Sequence, residues 1–300
     1  MKKDERYEIL KNNTFGYFEV FPKPTSIELK EYYSEKYYQV PEENNSTYSL
    51  KYQKEELDYI NNKIDLKYLI LCEIFKSKKS YRLLDVGCGE GFSLNFFYEK
   101  EWDVLGLDFS DYSISSFHPH LTKKFIKGDI FDSIATLKNN LEKFDVIILD
   151  NVLEHVIDPL GLIETTYEML NDGGVLVVEV PNDFSDLQNA LFEKNMIKEK
   201  YWVAIPDHLN YFSKESLISA CHSVGFKIQK VIGDFPMEWL LANDNSNYVN
   251  DKTNGKNAHK ARLFIENFLS EKSNKIDLIN FYEALSNINQ GRLVTGFFQK

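Results

Sequence analysis

Cysteine is scarce in this sequence, and the three cysteines are widely spaced. Cys72, Cys88 and Cys221 are odd in number among 300 residues, so they fit neither a disulfide framework nor a paired-cysteine zinc site. We therefore predict no metal centre and a reducing compartment, the cytoplasm.

Long apolar runs and a surplus of positive charge are also absent. The first residues lead into no apolar signal core, and no run approaches the roughly 18 apolar residues that cross a bilayer. Lysine and arginine number 35 against 46 acidic residues, for a net charge of −11, and no basic cluster offsets this excess. A nucleic-acid backbone would be repelled by such a chain. The sequence thus predicts a protein that inserts into no membrane and binds no nucleic acid.

What the sequence does contain is an apolar fraction of 43%, which is enough for a full core. From residue 81 onward, short β-rich runs alternate with helical patterns, as is typical of βα units on a parallel sheet. We expect a doubly wound, Rossmann-like α/β fold. Its predicted strands lie at about 82–85, 103–107, 124–127, 144–149, 175–180, 226–232 and 292–299.

Two further segments accompany the sheet domain, which we place at residues 65–300. Residues 1–64 are rich in tyrosine and predict an aromatic N-terminal cap. Residues 236–290 separate the last two strands and predict an insertion, with a mobile loop at 243–257 and helices at 258–269 and 276–288. We expect this insertion either to cover the acceptor or to mediate self-association as a homodimer.

A glycine loop follows the first predicted strand. Gly87, Gly89 and Gly91 alternate with other residues, and Asp85 lies two positions before the first of them. Glycines at the carboxyl end of a strand let the backbone approach a ligand closely. A dinucleotide loop has its third glycine three positions after the second, so the spacing disfavours a nicotinamide oxidoreductase.

The segment Asp85-Val-Gly-Cys-Gly-Glu-Gly91 resembles the first motif of the class I S-adenosylmethionine-dependent methyltransferases. The resemblance spans about residues 81–232, and the stretch after the fourth strand is similar to the branch that contains ubiquinone-biosynthesis O-methyltransferases. It implies S-adenosyl-L-methionine as the cofactor. The donor contacts that it implies in the first strand and loop are Asp85, Gly87, Cys88, Gly89, Gly91 and Phe92.

The same resemblance assigns roles after the next three strands. The acid after the second strand would bind both ribose hydroxyls, and the acid after the third would bind the adenine amine. The residues so implied are Asp108, Phe109, Ser110, Asp129, Ile130, Asp150, Asn151 and Val152. The donor carries a sulfonium cation and no phosphate, so acids at four consecutive strand ends suit it electrostatically. Each acid taken alone has the alternative of capping a helix or lying in a solvated loop.

Methyl transfer to a hydroxyl requires removal of a proton, for which histidine is suited. His208 lies in the segment 206–213, which is similar to a pattern found in methyltransferases of sugar, polysaccharide and quinone pathways. We predict His208 as the base or acceptor-orienting residue and His155 as the second candidate. The alternative for either is a histidine that bonds backbone at a turn. Tyr48 and Tyr52 of the cap are candidates to exclude water or to offer aromatic surface to the donor, against ordinary packing.

Together these patterns predict O-methylation of a small polar acceptor, such as a sugar, a sugar nucleotide or another surface-polysaccharide precursor. N-methylation and methylation of a quinone ring are alternatives, and so is a non-catalytic scaffold that retains only the donor pocket. Sugar C-methyltransferases of a related type open with a zinc region of paired cysteines. Residues 1–64 contain no cysteine, which argues against that reaction.

Overall fold

A seven-stranded sheet forms the centre of the computed structural model, which describes residues 6–37, 52–76 and 79–300. Its strands lie in the order β5-β4-β3-β6-β7-β10-β9. Strands β3 to β7 are parallel, and β10 pairs antiparallel with both β7 and β9. The strands are β1 (Glu8–Lys11), β2 (Phe18–Phe21), β3 (Arg82–Val86), β4 (Asp103–Asp108), β5 (Phe125–Lys127), β6 (Phe144–Asp150), β7 (Leu170–Pro181), β8 (Asn210–Tyr211), β9 (Lys227–Gly233) and β10 (Leu293–Gln299).

Helices cover both faces of this sheet. One face packs against α5, α6 and α8, and the other packs against α2, α3 and α10. The helices are α1 (Ser26–Tyr37), α2 (Lys54–Phe75), α3 (Phe92–Glu99), α4 (Tyr112–Phe117), α5 (Ile130–Asn139), α6 (Pro159–Met169), α7 (Asp186–Glu193), α8 (Lys214–Val224), α9 (Gly255–Lys272) and α10 (Lys275–Asn287). Because β6 is covered on both sides, its central residues 146–149 are a continuous apolar run rather than an alternating one. The predicted doubly wound α/β fold is confirmed.

One predicted boundary on the sheet differs from the structure. The sequence predicts a strand that begins at 175. In the structure this strand, β7, begins at Leu170 and includes residues 171–174. The register of β7 against β6 shifts between Phe144 and Val146, so the glycine-containing stretch is an irregularity inside the strand.

The N-terminal cap contains more regular structure than the sequence predicts. Strands β1 and β2 form an antiparallel hairpin, and β2 pairs with β8 to make a second, three-stranded sheet. Helix α2 runs across residue 64, so the proposed division between cap and sheet domain falls within a helix. The hairpin therefore stabilises β8 and the segment just before it, and His208 lies in that segment.

The insertion before the last strand is largely helical, with α9 and α10 close to the predicted positions. Helix α10 packs on β9, and α9 packs on α2. The stretch at 243–257, for which the composition predicts a mobile loop, contains buried contacts. Asn247 is buried there, and its Nδ2 donates to Met196 O at 2.8 Å and to Leu241 O at 2.9 Å. Within residues 6–37, 52–76 and 79–300, no helix has the length and apolarity needed to cross a bilayer.

Candidate active site

Four acidic side chains lie along one edge of the sheet, at the carboxyl ends of four adjacent strands. Asp129 follows β5, Asp108 ends β4, Asp85 lies one residue before the end of β3, and Asp150 ends β6. Parallel neighbours place their carboxyl ends at the same edge, where doubly wound folds bind their ligands. The acids that the sequence singles out are therefore contiguous in space.

The glycine loop is held against β4 by its own backbone. The N–H groups of Gly87 and Cys88 both donate to Leu107 O, at 2.8 and 3.0 Å. Gly87 has a φ of 72°, and a methyl group added there would lie 3.1 Å from Val152 Cγ2. A methyl group on Gly106 would lie 2.8 Å from Cys88 Sγ, and burial raises the pKa of that thiol well above its usual value. Cys88 is therefore a packing residue and not a nucleophile.

Asp108 organises the loop from the neighbouring strand. Its Oδ2 accepts the N–H of Gly89 at 3.0 Å, and its Oδ1 accepts the N–H of Ser110 at 3.1 Å. Burial raises the pKa of Asp108, and these backbone hydrogen bonds oppose the rise. Because a carboxylate already takes the Gly89 N–H, this group is not presented to a phosphate as the loop of a dinucleotide site requires.

The predicted adenine-binding residues have local structural roles. Asp129 Oδ1 accepts the N–H of Phe131 at 2.8 Å and that of Asp132 at 3.3 Å, so the side chain caps α5. Ile130 is buried in the core on the α5 face of the sheet, and Phe109 packs against the same core. The structure thus shows Asp129 as a helix cap at the edge of the crevice, with Ile130 beneath it.

Tyr52 joins the cap to the glycine loop. Its hydroxyl donates to Glu90 Oε1 at 3.1 Å, and its ring meets Phe92 edge-on with centroids 5.5 Å apart. His118 Nδ1 lies 2.8 Å from Glu90 O on the other side of the loop. Gly91, between these residues, has a φ of 78°, which a side chain would strain. Tyr48, the other predicted cap residue, lies outside the described residues.

Two lysines that are not predicted from the sequence, the buried Lys67 and the half-buried Lys63, neutralise acids at the ends of β6 and β7. Lys67 of α2 lies 2.5 Å from Asp150 Oδ2 and 3.2 Å from Glu179 Oε2, and Lys63 lies 3.1 Å from Glu179 Oε1. Burial raises the pKa of Asp150 and Lys67 opposes that rise, whereas the two lysines hold the pKa of Glu179 well below its usual range despite burial. Asn151 has a φ of 53° and donates its N–H to Glu179 O at 2.8 Å. An ion-paired network therefore fixes the residues after β6.

Asp85 lies on the same face of the sheet as this network and is only 3% exposed. Burial raises the pKa of Asp85 to about 8, and the neighbouring Asp150 adds to the rise. Asp85 therefore holds a proton at neutral pH in the absence of a ligand. A ligand cation at the strand ends would favour its ionised form.

The two predicted histidines lie together beyond the end of β6. The rings of His155 and His208 meet edge-on, with centroids 4.9 Å apart. His155 Nδ1 donates to Asp207 O at 2.7 Å, so this histidine does bond backbone, and the contact orients its ring. The backbone N–H of His208 donates to Ala204 O at 2.7 Å.

A second pair of buried acids lies next to these histidines. Glu154 and Asp183 are each 1% exposed, and Arg292 Nη1 lies 2.7 Å from Asp183 Oδ1. Burial raises the pKa of Glu154 well above its usual value and also raises that of Asp183. Glu154 Oε2 has no hydrogen-bond partner in the part of the chain that the structure describes, whereas Asp183 also interacts with the Gln188 side chain. Glu154, His155 and His208 also bring oxygen and nitrogen atoms within 4.8 Å of one another, a spacing that can accommodate a cation.

Glu179, Glu154 and Lys67 are not predicted from the sequence, for different reasons. Glu179 lies near the end of β7, so the strand-end rule that singles out Asp150 would also have found it. Glu154 directly precedes His155 in the motif after β6. Lys67 belongs to a helix that precedes the sheet, and no motif there indicates a contact with a strand end.

The strand order, the glycine loop and the strand-end acids define the class of this protein, a doubly wound domain with its ligand crevice at the carboxyl ends of the strands. Residues 62–231, more than half of the chain, match the methyltransferase domain family. The chain belongs to this family.

The curated relatives of this chain include proteins that are also named methyltransferases. A probable S-adenosylmethionine-dependent methyltransferase of Mycolicibacterium smegmatis is 23% identical over 51% of this chain and 54% of its own length. A ubiquinone biosynthesis O-methyltransferase of Cereibacter sphaeroides is 31% identical over 42% of this chain and 51% of its own length. The chain thus spans about half the length of the curated relatives it matches. A SAM-dependent methyltransferase structure from Archaeoglobus fulgidus is 20% identical over 79% of this chain and 94% of its own, with a TM-score of 0.48.

The residues at the crevice fit S-adenosyl-L-methionine, the cofactor of this family. Gly87 leaves a cradle that a side chain would fill, beside Val152. The donor set consists of carboxylates, which suit a sulfonium cation, an ammonium group and ribose hydroxyls. The Gly89 N–H is engaged by Asp108 and is not directed to a pyrophosphate.

Proposed function

We propose that the protein transfers the methyl group of S-adenosyl-L-methionine to a hydroxyl of a small polar acceptor. The observation that carries the donor half is the row of four acids on adjacent strand ends, with the glycine-loop N–H taken by Asp108. When bound, the donor supplies an electrophilic methyl group on a sulfonium. Asp108 and Asp129 would hold the nucleoside, and Asp85 and Asp150 would face the cationic part.

The acceptor half of the proposal rests on the second acid pair. Glu154 Oε2 is a buried hydrogen-bond acceptor that requires a ligand or water with donors. Hydroxyl groups of a sugar supply such donors, whereas a quinone ring supplies few. Arg292 is already paired with Asp183, which favours a neutral sugar over a phosphate-bearing nucleotide at this position. N-methylation is the second candidate, since the same acids would also bind an amine.

The histidines would act on the acceptor proton. As the hydroxyl oxygen bonds to the methyl carbon, the carbon–sulfur bond breaks and the hydroxyl proton passes to an imidazole nitrogen. The Nδ1 of His155 is held by Asp207 O, so its Nε2 is the nitrogen that would accept a proton. We assign the base to His208 first and to His155 second. Such a base typically contributes 10²–10⁴-fold to the rate.

The test is product mass analysis after incubation of the protein with donor and a set of sugars and nucleotide sugars, followed by two variants. Asp108→Ala should weaken donor binding about 100-fold, because two hydrogen bonds to a charged group are lost. His208→Ala should bind donor normally and lower turnover at least 100-fold. His222→Ala, on the exposed side of α8, is the matched control and should behave as the wild type.

Each result separates one part of the proposal from the others. Wild-type protein that binds no donor would contradict the donor site itself. Protein that binds donor and turns over no acceptor would favour the scaffold alternative. Normal turnover by His208→Ala would move the base to His155.

A further inference from the structure

The outer side of α9 carries an aromatic pair that the core does not use. Phe264 is 71% exposed and Phe268 is 50% exposed, and their rings stack with centroids 6.2 Å apart. Together with Leu263 and Asn267 they line a groove between α9 and the start of α2. Exposed apolar surface that is concentrated in this way marks an interaction site more often than singly scattered residues do.

Opposite charges flank this aromatic pair along the helix. Lys260 lies one turn before Phe264, Glu271 lies about one turn after Phe268, and both line the same groove. Positions three and four apart share a helix face, so these residues form one stripe, which we call the α9 stripe. In order, the stripe is Lys260, Leu263, Phe264, Asn267, Phe268 and Glu271.

The α9 stripe is complementary to a second copy of itself that runs in the opposite direction. Its midpoint falls between residues 265 and 266, so reversing the stripe about that point places 260 on 271 and 263 on 268. A lysine then faces a glutamate, and a leucine faces a phenylalanine, twice each. This is the pattern that a twofold axis requires, because the same patch must match itself.

We propose that the α9 stripe is the interface of a homodimer in which two copies of α9 pack antiparallel across a twofold axis. Lys260 then pairs with the partner's Glu271, and Phe268 enters the partner's groove, whose lining includes Leu263, itself only 7% exposed. Phe264 packs across the axis beside the partner's Asn267. One helix and its groove make an interface at the low end of the usual size range. The dimer is therefore concentration-dependent.

Charge reversal tests this arrangement, with association measured by sedimentation velocity. Within one chain, Lys260 and Glu271 are three helical turns apart, about 16 Å, so they cannot pair with each other. Lys260→Glu and Glu271→Lys each set like charges against one another, and each should weaken the dimer about tenfold. An equimolar mixture of the two variants should dimerise as the wild type does, because both contacts in the mixed pair again join opposite charges. The double variant should also regain the wild-type dissociation constant.

Several outcomes would overturn the proposal. These are a wild type that stays monomeric at 100 μM, single variants that associate like the wild type, or a mixture that stays as weak as its components. Phe264→Ser with Phe268→Ser should abolish association while leaving the thermal midpoint within a few degrees of the wild-type value. All four positions lie away from the crevice, so donor binding should be unchanged in every variant.

Discussion

Strands β6 and β7 lie side by side, and each carries an acid near its end and a second acid four residues later. Asp150 and Glu179 are register partners and form the inner pair, and Glu154 and Asp183 form the outer pair. Lys67 contacts both members of the inner pair. Of the outer pair, Arg292 bonds Asp183, at 2.7 Å. The same spacing on neighbouring strands therefore produces two different electrostatic environments.

The consequence of this difference is seen in the protonation of the acids. The lysines hold the pKa of Glu179 well below its usual range, although burial opposes them. Burial instead raises the pKa of Glu154 well above its usual value. An acid whose counter-ion belongs to the fold is charged before a ligand arrives. Glu179 is thus a charged part of the framework behind the donor crevice, whereas Glu154 is available to a ligand that donates hydrogen bonds.

Removal of Lys67 should have the largest effect on stability, because Asp150 and Glu179 lose the cation that they share. In Lys67→Met, Asp150 loses its cationic partner and Glu179 keeps only Lys63. We therefore expect a loss of about 3–5 kcal/mol in the free energy of unfolding, measured with urea. Lys67→Met combined with Asp150→Asn should recover part of that loss. A loss below about 1 kcal/mol in the single variant would show that the inner pair does not depend on its lysine.

The contrast also shows what the sequence can and cannot predict. Acids at strand ends follow from a local pattern, so Asp85, Asp108 and Asp150 are found together with their strands. Lys67 lies 83 positions before Asp150 and meets it only because α2 packs over the sheet. The pairing of β2 with β8, which braces the segment of His208, likewise depends on contacts between distant residues. Local periodicity contains no information about either contact.

Asp85 gives a prediction of intermediate size that links the inner pair to donor binding. Its folded pKa is about 8, raised by burial from 3.8, so below pH 8 the ligand-free protein holds a proton there. A donor cation favours the ionised form, so binding should release a proton and strengthen as pH rises toward 8. The limit is about tenfold for each pH unit.

Calorimetry at pH 6, 7 and 8, in buffers of different ionisation enthalpy, measures both the affinity and the proton release. Asp85→Asn should release no proton and show a nearly flat affinity across this range. Proton release that persists in the variant would place the titrating group elsewhere.

The smallest predicted effect comes from replacing one glutamate by glutamine, either in the outer pair or in the inner pair. The pKa of Glu154 is raised in the folded protein, so this group ionises more readily in the unfolded chain. That ionisation favours unfolding and lowers stability as pH rises above about 4.5. Glu154→Gln lacks that cost, so its stability relative to the wild type should rise between pH 6 and pH 7, by at most about 1.4 kcal/mol. Glu179 has a lowered pKa, so its contribution is complete above pH 4.5 and does not change between pH 6 and pH 7.

Glu179→Gln should therefore destabilise the protein by the same amount at both pH values, because Lys63 loses its partner and Lys67 loses one of two. Urea unfolding of both variants at pH 6 and pH 7 measures the sign and the slope together. If Glu154→Gln is destabilising with no pH dependence, the outer pair is compensated after all. Its role in acceptor recognition would then have to rest on hydrogen bonding by an ionised carboxylate.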